Sequence, residues 1–210
     1  MIGILLALQV NTWNEDRKLQ ELSDKTLLSL QTELQEAKSN LERIIDFNQD
    51  LIEDSELYIY GEFSRDSLER DPGVVFRFTN YAPISFELPV LERELSSDRL
   101  IMGQEELNTK LREINNQTVN ITESIFYLDE FRNNQVVPYF VEKKAMVYLH
   151  QDLRGRQDSS MKNAMQNIFE DEEYRNMAAM CNLFVTAFTD QSEQLVEVID
   201  ETLVLIEEKN

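Results

Sequence analysis

The chain has 210 residues, of which 42% are hydrophobic and 29% are charged, so it has enough apolar side chains to bury a core. Forty Asp and Glu residues against twenty Lys and Arg residues give a formal net charge of -20, which repels nucleic-acid phosphates and anionic lipid headgroups. We therefore expect no nucleic-acid partner. One histidine and one cysteine cannot form a Cys/His zinc site or a disulfide framework, and we predict neither a metal nor a cofactor.

The first segment of the chain is apolar. Residues 2–8 carry no charged side chain, and Val10 and Trp13 extend the run before dense charge begins at Glu15. An amphipathic aromatic residue followed by charges is typical of the point where a membrane helix leaves the lipid. A helix needs about 20 apolar residues to cross a bilayer, so this run is too short to span alone. We interpret it as the C-terminal part of a membrane anchor, formed by Ile2, Ile4, Leu5, Leu6, Leu8, Val10 and Trp13. An apolar helix end that packs on the protein's own core remains the alternative.

A long helix is predicted over residues 14–60. No Pro or Gly occurs in this range, and apolar residues recur at steps of three and four, with Asn48 in the one polar slot. The apolar positions of this first seam are Leu27, Leu30, Leu34, Ala37, Leu41, Ile44 and Leu51. A continuous helix of this length extends about 70 Å, so other helices have to run beside it.

Residues 61–87 break the helical pattern with Gly and Pro residues, and we predict a long crossover with a short helical turn near residues 64–69. A β-hairpin over residues 74–79 is a lesser alternative, because an isolated hairpin is marginally stable. The aromatic residues of the crossover are Phe63, Phe76, Phe78, Tyr81 and Phe86, with Tyr60 at its start.

The crossover also contains the candidate binding surface. Long loops often carry function, and aromatic residues with arginine often anchor interfaces, so the candidate partner-binding residues are Phe76, Arg77, Phe78 and Tyr81. The alternative, which we favour, is that these aromatic rings pack beneath the crossover and attach it to the helices.

Residues 88–149 form a second helical unit. We expect a short helix near residues 88–95, a pause at residues 96–103 and a long helix with a seam of Leu107, Leu111, Ile114, Thr118, Ile121, Ile125 and Leu128. Pro138 predicts a kink or a restart before a helix over residues 139–149.

Residues 150–210 complete the chain with a loop at residues 151–159, a short helix at residues 160–169 and a last long helix. Asp171 is the predicted N-cap of this last helix. Its seam comprises Tyr174, Met177, Cys181, Phe184, Phe188, Leu195, Val198 and Leu205, with Gln191 and Thr202 as polar members.

These patterns predict an all-α protein, an elongated antiparallel bundle of long coiled-coil-like helices that follows the C-terminal part of a transmembrane helix. We expect residues 1–13 to belong to the membrane anchor and residues 14–210 to form one bundle domain.

Few residues fit a catalytic or metal site. A carboxylate di-iron bundle needs Glu-x-x-His pairs, but Val147 stands three residues before His150. We expect His150 to close a helix, Cys181 to be a buried thiol and the acidic run at residues 170–173 to be a solvated helix start. The sequence therefore predicts that the protein is not an enzyme.

The N-terminal segment carries a family resemblance. The run Ile-Gly-Ile-Leu-Leu-Ala-Leu-Gln-Val-Asn-Thr-Trp-Asn-Glu at residues 2–15 resembles the signature of uncharacterised bacterial envelope proteins, a domain of unknown function with one N-terminal transmembrane helix. The resemblance extends to the turn at residues 95–101, the Val-Pro-Tyr step at residues 137–139 and the helix start at residues 171–176. In that family a basic leader and about ten more apolar residues precede the segment, and we expect the reading frame upstream of Met1 to encode them.

This resemblance implies topology and no chemistry. A basic leader on the inside would place the rest of the chain across the membrane, as a single-pass protein of the bacterial inner membrane with a periplasmic domain. The leading hypothesis is a non-enzymatic interaction or scaffold module, bound to the membrane through its N-terminal segment, that contacts a protein partner or a second copy. The alternative is a periplasmic ligand-sensing bundle, although such sensors normally return through a second span.

Overall fold

The computed structural model describes residues 2–82, 84, 87–96, 104–156 and 158–208, with side chains from residue 9 onward apart from residue 16. Every regular element in these ranges is helical. The α-helices are α1 (Ile2–Ile59), α2 (Arg65–Arg70), α3 (Val74–Arg77), α4 (Pro89–Ser96), α5 (Glu105–Phe131), α6 (Val137–Glu142), α7 (Met146–Asp152), α8 (Ser159–Phe169) and α9 (Glu172–Glu207). The protein is an all-α helical bundle, and the predicted fold class is confirmed.

The chain divides into two compact units, and each takes one part of the long helices α1, α5 and α9. Unit 1 comprises Met1–Asn40, Phe86–Thr118 and Leu195–Asn210. Unit 2 comprises Leu41–Ser85 and Val119–Gln194.

Unit 1 has a mostly aliphatic core contributed by α1, α4, α5 and α9. Its buried apolar residues are Leu27, Leu30, Leu34, Leu88, Leu91, Leu107, Leu111, Ile114, Leu195, Val198, Ile199, Leu203 and Ile206. The carboxylate of Glu33 on α1 accepts the backbone N–H groups of Val90 at 2.8 Å and Leu91 at 2.9 Å. Because the first N–H groups of a helix lack intrahelical partners, this carboxylate satisfies the start of α4 and ties it to α1.

Unit 2 has an aromatic core to which the crossover contributes. Tyr58 of α1 stacks on Phe78 with ring centroids 4.6 Å apart, and it also contacts Phe169 and Tyr174. The hydroxyl of Tyr58 donates to the Phe169 carbonyl at 3.0 Å. Aromatic rings bury a large area each, so this cluster supplies much of the apolar burial of the unit.

Helix directions in unit 2 follow from its polar and aromatic contacts. Helix α9 is antiparallel to both α1 and α5, so α1 and α5 run in the same direction. This arrangement requires a long connection, because the chain has to return before α5 begins. Along α1, Gln49 contacts Glu193 (2.7 Å) and Ser55 contacts Asn182 (2.7 Å), so α9 is followed in reverse. Along α5, Ser124 contacts Gln191 (3.0 Å) and Phe131 contacts Phe184 (ring centroids 5.9 Å), again in reverse.

The kink or restart predicted at Pro138 corresponds to a π-helical turn within a backbone that stays helical. A π-helical turn at Arg132–Val136 follows α5, and α6 begins at Val137 with Pro138 in its first turn. Proline has no N–H and its ring clashes with the carbonyl four residues earlier, so a regular α-helix cannot continue through it. The single helix predicted at residues 139–149 is wrong, because Lys144 adopts a left-handed φ of 56° that separates α6 from α7.

The crossover is helical in the region where a β-hairpin was the lesser alternative. Residues Val74–Arg77 form the short helix α3, which excludes a hairpin there, and the predicted turn near residues 64–69 is α2. Pro83, Phe86 and most of the predicted pause at residues 96–103 lie outside the described residues.

Candidate functional site

The N-terminal arm, which we define as residues 9–26 of α1, lies outside both cores. None of its described side chains is buried, and Leu27 is the first buried residue of the helix. Trp13 is 63% exposed, and Val10, Leu19 and Leu22 are exposed as well. The guanidinium of Arg17 lies over the Trp13 ring, 5.6 Å from its centroid. The arm is therefore a solvent-exposed helix that displays large apolar side chains.

The predicted anchor residues are only partly described. Ile2, Ile4, Leu5, Leu6 and Leu8 belong to the backbone of α1, but their side chains lie outside the described residues. The alternative interpretation of this segment required its apolar residues to pack on the core. Val10 and Trp13 are exposed and do not pack there. Across the described residues, no helix is both long enough and apolar enough to cross a bilayer. The anchor itself stays a prediction.

The candidate partner-binding residues of the crossover lie in the core of unit 2. Phe76, Phe78 and Tyr81 are buried, and Phe78 is only 2% exposed. The Tyr81 hydroxyl donates to Asp129 at 2.7 Å. Arg77 is exposed and pairs with Asp71 at 2.8 Å. The burial agrees with the favoured alternative, in which these rings attach the crossover to the helices.

The one polar slot in the first seam is a connection point. Asn48 is fully buried, and its Oδ1 accepts the backbone N–H of Ala82 at 2.8 Å. Its Nδ2 donates to the Ala82 carbonyl at 3.5 Å. A buried amide without hydrogen-bond partners destabilises the folded state, so the bonds to Ala82 favour one position of the crossover on α1.

Asp171 is the predicted N-cap of α9 and joins three elements. Its Oδ1 accepts the Glu173 N–H at 2.9 Å, which confirms the cap, and its Oδ2 accepts the Tyr139 hydroxyl at 2.9 Å and the Lys143 ammonium at 2.7 Å. The Lys143 contact holds the pKa of Asp171 below its usual range. Burial, and then the bond to Asp171, raise the pKa of Tyr139. Both groups therefore keep one protonation state near neutral pH, which suits a structural clamp and not proton transfer.

A shallow pocket lies between α1, the crossover and α9. It is a surface depression that encloses no space for a water molecule, and it is lined by Leu51, Ile52, Ser55, Phe78, Asn80, Cys181, Asn182 and Val185. The Asn182 Nδ2 donates to Ser55 Oγ at 2.7 Å and to the Ile52 carbonyl at 3.2 Å. Burial raises the pKa of the Cys181 thiol to about 12, so it is the inert buried thiol that the sequence predicted.

One surface feature was missed at the sequence level. His150 lies in the last turn of α7, which ends two residues later at Asp152. Helix α7 contains no buried residue, and Val147 is 56% exposed and Leu153 is 77% exposed. Lys144, Arg154 and Arg156 are close to them in the sequence and are also exposed. We call residues 141–156 the α7 tip. Its sequence signal is four Lys and Arg residues against two acidic residues in a strongly acidic chain.

Among the described residues, no group of three or more His, Cys, Asp or Glu side chains is arranged to hold a metal ion. The chain matches no protein-family model, no curated protein and no solved structure.

Proposed function

We propose that this protein is a helical interaction or scaffold module that is held at a membrane through the N-terminal segment of α1. The exposed N-terminal arm carries this proposal. Val10, Trp13, Leu19 and Leu22 lie on a continuous helix at positions where no part of the core covers them. Exposed large apolar residues on an ordered helix favour contact with lipid or with another protein.

Trp13 favours a membrane over a protein as the surface that the start of the arm contacts. Tryptophan is enriched at membrane interfaces because its ring is apolar while its N–H remains able to bond to water. Arg17 lies one turn after Trp13 and contacts its ring, so the guanidinium is placed on the polar side of such an interface.

The use of the buried polar groups supports a scaffold role. Asn48 joins α1 to the crossover, and Asn182 joins α9 to α1. Asp171 joins α9 to α6 through Tyr139 and Lys143. Polar groups that are engaged in this way stabilise one arrangement of helices and are not free to act on a substrate.

Quenching of Trp13 fluorescence by brominated lipids tests the membrane contact, because Trp13 is the only tryptophan in the chain. We expect quenching in vesicles that contain lipids brominated near the headgroup. The matched control moves the probe, with Trp13→Phe and Phe47→Trp, to a half-exposed position beyond the arm, where quenching should be absent. Unquenched Trp13 in vesicles, or equal quenching at the two positions, contradicts the proposal.

The ligand-sensing bundle, which is the alternative from the sequence, gains no support from the pocket beside Asn182. The pocket has no room for a water-sized molecule, and the Asn182 amide is already bonded to Ser55 and to the Ile52 carbonyl.

A further inference from the structure

The α7 tip has the opposite charge to the chain as a whole. Residues 141–156 contain four basic and two acidic residues, a net charge of +2, whereas the whole chain has a net charge of -20. Lys143 is bound to Asp171. Lys144, Arg154 and Arg156 are exposed and form no ion pair with any residue of the described ranges. Three cationic groups at the tip are therefore available to an external anion.

The same segment displays aliphatic side chains to solvent. Val147, His150 and Leu153 follow each other at steps of three, so they lie along one side of α7 and its final turn. Val141, at the end of α6, is exposed too. Helix α7 has no buried residue, so these side chains remain in contact with water in the isolated chain.

The tip is a fixed element of unit 2. Ala145, between α6 and α7, is fully buried, and its N–H donates to the Phe140 carbonyl at 2.8 Å. A Cβ placed on Gly73 would collide with the Asp152 carboxylate, so the side chain at the end of α7 packs directly against the crossover backbone. The apolar residues are therefore presented on a support that already has its conformation, which lowers the entropy cost of binding.

We propose that the α7 tip docks onto an anionic lipid surface, with Val147 and Leu153 inserted at the acyl-chain boundary and with Lys144, Arg154 and Arg156 at the lipid phosphates. Short amphipathic elements with an aliphatic face and basic residues bind membrane interfaces in this way. The net acidity of the chain does not prevent this, because exposed charges beyond about 8 to 10 Å are largely screened at physiological salt.

The composition of the tip favours lipid over a protein partner. Protein hot spots are enriched in tryptophan, tyrosine and arginine and are poor in valine and leucine. The tip has arginines but no exposed aromatic ring: its exposed apolar side chains are Val141, Met146, Val147 and Leu153, and Tyr148 is half-buried. Neither the N-terminal arm nor the proposed scaffold role enters this argument, so the inference is independent of the proposed function.

A fluorescent label on the tip tests the proposal in the full chain. His150→Cys places an exposed thiol on α7 for an environment-sensitive dye such as NBD, while buried Cys181, whose thiol pKa is raised to about 12, stays unlabelled. We expect a blue shift with vesicles that contain phosphatidylglycerol and none with vesicles of phosphatidylcholine alone. In the labelled chain, Arg154→Glu with Arg156→Glu should weaken the apparent affinity about tenfold or more, and Val147→Ser with Leu153→Ser should abolish the shift.

The matched control reverses the same number of charges elsewhere. Lys25→Glu with Arg112→Glu changes two exposed cations outside the tip, and the blue shift should remain. No shift with phosphatidylglycerol, an equal shift with both lipids, or an equal loss in the control pair would overturn the proposal. A shift that depends on protein concentration without vesicles would overturn it too, and would assign the tip to a second copy of the chain. Trp13 emission in the same samples reports the N-terminal arm separately, so failure of the tip and failure of the anchor are distinguishable.

Discussion

Asn48 and Ala82 are 34 positions apart in the chain and share a hydrogen bond of 2.8 Å from the Ala82 N–H to the Asn48 side chain. Asn48 has no exposed surface, although the seven other positions of its seam are apolar. The contact joins the crossover to α1, and the stacking of Phe78 on Tyr58 joins them at a second point.

Asn48→Ala should lower the free energy of unfolding by about 1 to 3 kcal/mol, because the change leaves the Ala82 N–H without its acceptor and opens a small cavity. Urea unfolding followed by circular dichroism measures this loss. Asn116→Ala, at an exposed position of α5, is the control and should change stability by less than about 0.5 kcal/mol. Equal stability of the two variants would show that the Asn48 contact contributes nothing.

A charge on a buried seam should unfold the bundle. Leu34 and Ile121 have no exposed surface, so Leu34→Asp and Ile121→Asp each bury an unpaired carboxylate, at a cost of several kcal/mol against a total stability of about 5 to 15 kcal/mol. Leu28→Asp and Val119→Asp introduce the same charge at exposed positions and should melt close to the parent chain. Thermal melts of the four variants test this. Similar melting temperatures for Leu34→Asp and Leu28→Asp, and for Ile121→Asp and Val119→Asp, would contradict the assigned cores.

The crossover rings should matter for stability, and the arginine among them should not. Phe78→Ser removes a ring that stacks on Tyr58 and should cost about 3 to 5 kcal/mol, whereas Arg77→Ser should stay within about 0.5 kcal/mol because its ion pair with Asp71 is exposed. The measurement is again chemical unfolding. A stable Phe78→Ser variant would return the crossover to the list of candidate binding surfaces.

The Asp171 clamp predicts acid sensitivity. Its pKa in the folded state is lowered below the usual value near 4, so the ionised form binds its partners and the unfolded chain takes up a proton first as the pH falls. The contribution of Asp171 is therefore complete above pH ~4 and is lost as the pH falls through the lower pKa of the folded state. Asp171→Asn should destabilise the protein at pH 7, and the difference from the parent should shrink below pH ~4.

Urea unfolding between pH 3 and 7 checks this dependence. Asp190→Asn, at an exposed position on α9, is the control and should show a small difference from the parent that does not vary with pH. A penalty for Asp171→Asn that is the same at every pH would mean that the carboxylate charge is not what the clamp uses.

Local patterns accounted for the positions that face the cores. Leu30, Ile121 and Phe188 were placed on seams by steps of three and four, and all three are fully buried. Asp171 was identified as a cap because an acidic residue before a helix start has a short-range partner, here the Glu173 N–H two residues away. Such features depend on neighbours within about one helical turn, which the order of residues specifies.

The division of residues 139–149 into α6 and α7 did not follow from these rules. Lys144 has ordinary helix propensity, yet it adopts a left-handed conformation because buried Ala145 folds back to bond with Phe140. Tertiary burial of one small residue overrode a local preference that is worth less than 1 kcal/mol.

The sequence by itself determined that the chain forms long amphipathic helices, that Asn48 is an exception in a seam, and that an apolar segment precedes the charged part of α1. Only the tertiary structure decided that α1 and α5 run in the same direction in unit 2, that Phe78 is buried while Val147 and Leu153 are exposed, and that Asn48 bonds to Ala82. The physical reason is range. Periodicity identifies which side of a helix is apolar, but burial depends on what packs against that side, and those contacts join residues that are 30 to more than 100 positions apart in the chain.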